Sequence, residues 1–144
     1  MNTRIVPRFG GVLEVVPQGI PRPPDAVVSH TDDGRTVVWR GVPAAIGRRA
    51  VDVERPRSPV PRAARQAASL TGHTCPWTAW TLLETEAKLA NVPVVRLLNG
   101  AESRPKGKLL FEPLWLGDLR CMLGIEFLGA VALGARDDAD RARA

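Results

Sequence analysis

Two acids stand one residue apart in the run Val51-Asp52-Val53-Glu54. Alternation of valine and carboxylate with a period of two predicts a strand, with the valines on one face and the acids on the other. At ~3.3 Å per residue the two acidic Cα atoms lie roughly 7 Å apart, close enough for both carboxylates to share one hard cation. A third acid, Glu84, falls in a helical run, and Lys88 follows four residues later on the same side. If that helix packs beside the strand, three carboxylates and a lysine converge. Mg2+ is commonly held by a few carboxylates while it also binds substrate phosphates. Each feature has an ordinary reading as well. Alternating acids mark the solvated face of a strand, a Glu–Lys pair at this spacing is a surface ion pair worth ~0.3–0.5 kcal/mol, and Ser29-His30 is turn chemistry.

The elements that would position these groups are short. Five prolines in residues 1–25, with a strand over residues 11–16, predict an extended Pro-rich N-terminal arm. Two β-branched runs around Asp33-Gly34 predict a hairpin, and the acid-bearing strand ends at Pro56, Pro59 and Pro61. Residues 62–70 predict a short helix. A longer helix follows to about Ala90, with Thr74 as its cap and Pro76 in its first turn. Within it Trp80, Leu83, Ala87 and Ala90 form a core stripe. Trp77 and Trp80 read as core or interface anchors. Residues 109–134 predict two or three strands and residues 136–144 a charged flexible tail, so residues 26–135 form one α+β domain.

Composition narrows the function classes. The chain has 144 residues and a formal charge of +5, and all but three of its 20 basic residues are arginine. An arginine-rich surface suits phosphate, carboxylate or an acidic partner. Nucleic acid is disfavoured, because the arginines are scattered and the aromatics form no stacking platform. Thirteen glycines and thirteen prolines exclude a long helical bundle. Cys75 and Cys121 lack zinc spacing and are expected as buried or half-buried thiols. No apolar leader follows Met1, and the most apolar stretch, residues 119–135, contains Arg120, Glu126 and three glycines. The expectation is a cytoplasmic protein without a membrane span.

The order of the motifs adds a resemblance. Ser29-His30-Thr31-Asp32-Asp33-Gly34 precedes Val51-Asp52-Val53-Glu54-Arg55-Pro56-Arg57. Trp80-Thr81-Leu82-Leu83-Glu84-Thr85-Glu86-Ala87-Lys88 follows, and an apolar Gly129-Ala130-Val131-Ala132-Leu133 comes near the end. This series resembles the 4′-phosphopantetheinyl transferase superfamily, whose members carry a Ser-His turn, a Gly-Val-Asp-Val-Glu strand and a Trp-Ser/Thr-x-Lys-Glu-x-x-x-Lys helix. The resemblance implies an antiparallel sheet packed against one long helix. It assigns Asp52, Glu54 and Glu84 to Mg2+, and Ser29 and His30 to the phosphates of coenzyme A. Lys88 would lie against the diphosphate and steady the departing 3′,5′-ADP. The implied reaction moves the phosphopantetheine arm of coenzyme A onto a serine of an acyl or peptidyl carrier protein. Glu84 or a water on the metal would accept the serine proton. Arg55, Arg57, Arg62 and Arg65 would meet the carrier or the 3′-phosphate.

The chain departs from that pattern at Leu83, which stands where the family has lysine, and at Arg49-Ala50, where it has glycine. Only about 25 residues precede the Ser-His turn, so the expectation is a shortened or divergent member lacking most of the N-terminal half. A homo-oligomer would then complete the site. The alternative is a catalytically altered relative that binds a carrier protein or small molecule, or does different chemistry, in a biosynthetic pathway.

Overall fold

The N-terminal stretch supplies β1 (Arg4–Ile5) and β2 (Val12–Val16), and these pair antiparallel. β3 (Val27–His30) and β4 (Thr36–Arg40) form the expected hairpin, closed where Thr31 N–H donates to Arg35 O at 2.9 Å and Gly34 adopts a positive φ of 85°. β2 pairs with β4, so the first sheet has the order β1-β2-β4-β3. The stretch expected as an extended arm is built into this sheet as far as Val16, where the strand expected over residues 11–16 appears as β2, because Leu13 opposite Trp39 completes its apolar face. The computed structural model describes residues 3–17, 19–42 and 46–127. The Gly129–Leu133 run, the C-terminal edge of the expected domain and the 136–144 tail lie outside them.

A second antiparallel sheet holds β5 (Ile46–Glu54), β6 (Leu109–Leu116) and β7 (Leu119–Phe127) in the order β5-β7-β6. Three helices complete the described residues: α1 (Arg62–Thr71), α2 (Pro76–Ala90) and α3 (Val94–Leu98). The architecture is α+β. Cys75, not Thr74, is the N-cap residue of α2, and Pro76 opens its first turn. Asn91 ends it in the left-handed region at φ 55°.

Period-two alternation assigns each strand two jobs. Val51 and Val53 of β5, with Cys121, Leu123 and Ile125 of β7, turn toward Leu13, Val37 and Trp39 of the first sheet, and all are buried. The Trp39 indole, fully buried, donates to Gly10 O at 3.0 Å. The other face of β5 and β7 carries Ala50, Asp52, Glu54, Met122 and Gly124, and α2 lies on it. Gly124 makes that seating possible: a Cβ there would come within 2.6 Å of Thr85 Cγ2 and 3.0 Å of Leu89 Cδ1. On its far side α2 meets α1 and α3 through Ala67, Ala79, Leu83, Ala87 and Leu97.

Candidate functional site

The acids of β5 do not face water. Asp52 is only 5% exposed, because α2 covers the strand face that carries it. α2 runs antiparallel to β5, so Trp80 stands over Glu54 and Lys88 over Asp52, with Glu84 between them at four-residue spacing. The ordinary reading of a solvated acid face therefore fails for Asp52, and the Glu84–Lys88 spacing belongs to a partly buried cluster.

Lys88 Nζ donates to Val51 O at 2.7 Å, Asp52 Oδ1 at 3.1 Å and Ser29 Oγ at 3.2 Å. An ammonium has three donors, and all three are engaged. Ser29 Oγ also accepts from Val53 N–H at 3.3 Å, so the hydroxyl links the edge of the first sheet to β5 and to the helix. Asp52 Oδ2 is buried and has no hydrogen-bond partner among the described residues. Burial pushes the Asp52 carboxyl up to about 8; the Lys88 ammonium pulls it down, and the Glu84 and Glu54 charges add to the rise.

Glu54 is tied from the other end of the helix. Trp80 Nε1 donates to Glu54 Oε1 at 2.9 Å, and Arg57 Nη1 stands 3.8 Å from Oε2. Burial raises the Glu54 carboxyl, against the Trp80 hydrogen bond and the Arg57 charge. Burial also raises Glu84, opposed by Lys88 and reinforced by Glu54. Glu84 makes no hydrogen bond or ion pair among the described residues. Asp52 thus feels the charges of Glu84 and Glu54, and Glu84 feels that of Glu54.

A divalent cation is tested against this geometry by two observations. The unpartnered Oδ2 of Asp52, beside two further half-buried acids, is the kind of oxygen a cation would satisfy. Among the described residues, however, no three His, Cys, Asp or Glu side chains are placed to ligate one ion together. The donor set suits an ion held by one or two carboxylates and otherwise by water and substrate oxygens, which is how Mg2+ is usually bound.

The Ser-His pair is split. Successive strand residues point to opposite faces, so Ser29 enters the cluster while His30 is exposed, its Nδ1 3.0 Å from Thr36 Oγ1 across the hairpin. Five residues form a charged belt at one end of the site. Arg55 binds Asp32 through two nitrogens at 3.1 and 3.2 Å, and Arg35 bridges Asp33 and Asp118. Arg57 lies 5.0 Å above the Trp77 ring. Arg62 and Arg65 are exposed on α1. Leu83 is fully buried among the helices, away from the acids. Cys121 is buried, but Cys75 is exposed, contrary to expectation, because the residue before α2 sits at the surface.

Trp80 is the residue that sequence reasoning undervalued. Its place in an apolar stripe concealed a polar role; the signal was its position, four residues before Glu84 and eight before Lys88. No helix among the described residues is long and apolar enough to cross a membrane. Comparisons with protein-family models, with curated proteins and with solved structures find no match.

Proposed function

We propose that the protein is a Mg2+-dependent phosphopantetheinyl transferase that takes coenzyme A and an acyl or peptidyl carrier protein as substrates. The observation that carries this reading is the convergence on one helix–strand seam of Asp52, Glu54, Glu84 and Lys88, in the order and spacing of the motifs that resemble that superfamily. The β5-β7-β6 sheet beneath α2 supports the same reading, since the resemblance implies an antiparallel sheet against one long helix.

The reaction forms a bond between the carrier serine Oγ and the β-phosphorus of coenzyme A. It breaks the bond from that phosphorus to the oxygen of 3′,5′-ADP, which leaves with the electron pair. Such transfers need positioning and charge neutralisation more than covalent help from the protein. Asp52, with Glu54 or Glu84, would hold Mg2+, which supplies positive charge to the diphosphate oxygens. Glu84 accepts the serine proton: it is half-buried, has no hydrogen-bond partner among the described residues, and its raised proton affinity suits a general base. Lys88 neutralises Asp52, and it reaches a phosphate only by exchanging one of its three acceptors. Ser29 holds Lys88 in place, and exposed His30, Arg62 and Arg65 are free to meet anionic groups of either substrate.

The test is incubation with coenzyme A, Mg2+ and a panel of apo carrier proteins. The expected result is a mass gain of one phosphopantetheine on at least one carrier. No gain on any of them counts against the reading.

A second reading has a specific observation behind it. The engaged donors of Lys88 and the buried Leu83 leave fewer free cations for a diphosphate than the family pattern supplies. That favours a protein which binds a carrier or a small molecule without transfer. Calorimetry separates the two: metal-dependent binding of coenzyme A followed by turnover supports transfer, and carrier binding without either supports the alternative.

A further inference from the structure

We propose that Trp80 is a positioning residue for Glu54: its indole N–H fixes one carboxylate oxygen and so determines which oxygen is left to face a cation shared with Asp52. The inference rests on the proposed cation site and adds a residue to it.

The geometry is specific. Trp80 Nε1 lies 2.9 Å from Glu54 Oε1, whereas the ion-pair partner of that carboxylate among the described residues, Arg57, stands 3.8 Å from Oε2. The short contact is therefore the indole's, and a Glu side chain with three torsions would otherwise be free to turn. Trp80 is itself held, because it is half-buried and packs against the cluster formed by α1, α2 and α3. The donor is thus rigid and the acceptor flexible, which is the arrangement that orients a ligand. Lys88 treats Asp52 the same way two turns later, engaging Oδ1 and leaving Oδ2 without a partner. One helix face consequently fixes one oxygen on each of the two strand acids, with Glu84 standing between the two fixed points.

Such outer partners typically change metal affinity 10–100-fold when removed. The experiment is calorimetric titration of the full chain with Mn2+ alone, in the parent, Trp80→Phe, Glu54→Gln and the double variant. Phenylalanine keeps most of the ring packing and removes the N–H. The expected result is about tenfold weaker Mn2+ binding in Trp80→Phe, weaker binding in Glu54→Gln, and no further loss when the two are combined. A Trp80→Phe affinity within about twofold of the parent overturns the inference, as do losses that multiply in the double variant. The cycle guards against a loosened fold, which would weaken binding in both backgrounds. A parent with no saturable Mn2+ binding overturns the proposed cation site and this inference with it; a binding parent with an indifferent Trp80→Phe overturns this inference alone.

Discussion

Replacing Asp52 by asparagine should make the protein more stable in mild alkali. Burial raises the Asp52 carboxyl from 3.8 to about 8, so the folded chain holds a proton that the unfolded chain has already released. The stability this proton contributes is complete below about pH 4 and is lost as pH rises through about 8. Each tenfold difference in proton affinity is worth about 1.4 kcal/mol, which sets a ceiling of ~6 kcal/mol on ionising Asp52 within the fold. Water entry and side-chain relaxation reduce such costs, so the expected loss for the parent is ~2–4 kcal/mol between about pH 5 and about pH 8.5. Asparagine is neutral throughout and keeps an oxygen for Lys88. Its curve should fall less steeply; Glu54 and Glu84, raised in the same sense, account for the residual slope. Asp32 and Asp118 are lowered, chiefly by hydrogen bonds from Arg55 and Arg35, and they act only in acid, outside this window. Urea unfolding at a series of pH values, with a chelator present, measures the effect. A parental stability that stays level or rises across the window would refute the reasoning, as would an undiminished slope in the variant.

Other consequences can be measured separately. Glu84→Gln should abolish phosphopantetheine transfer while leaving the circular dichroism spectrum and unfolding midpoint close to the parent's, since Glu84 makes no hydrogen bond to another described residue. Lys88→Met should destabilise the fold by ~3 kcal/mol at about pH 8.5, because it leaves Asp52 buried without its counter-charge; adding Asp52→Asn should recover most of that loss in the same urea assay. Gly124→Ala should cost ~1–3 kcal/mol, as its Cβ meets the buried Thr85, and Gly124→Ala with Thr85→Ser should recover part of it. Saturating Mg2+ at about pH 8 should raise the melting temperature of the parent but not of Asp52→Asn, by roughly 3 kcal/mol of stabilisation at a hundredfold excess over the dissociation constant.

How much of this was visible beforehand depends on the period of each segment. The valine–acid alternation of residues 51–54 reports the two faces of β5 correctly, because strand phase is set locally. It cannot report that α2 covers the acidic face, which is decided by Gly124 and Met122 on a strand some seventy residues away. The helix spacing placed Glu84 and Lys88 on one side and Trp80, Leu83 and Ala87 in a core stripe, and only the packing shows that Trp80 also reaches the acidic seam. Ser29-His30 read as a unit, but a strand separates neighbours. The strand expected over residues 11–16 appears as β2, whereas the two residues of β1 are too few for any period to register. α3 was hidden for a related reason: five residues between Pro93 and Asn99 are too few for periodicity to register.

The shared core between the two sheets limits how the molecule can be divided. Leu13 is wholly enclosed and lies against the strand that neighbours β3, and β3 holds the hydroxyl that steadies Lys88. A fragment beginning at residue 26 would leave a leucine-sized void beside Trp39 and would bare the edge of β4 that β2 covers. The seam between α2 and β5 is accordingly not a portable cassette: its alignment is inherited from a sheet whose first strand is laid down near residue 4.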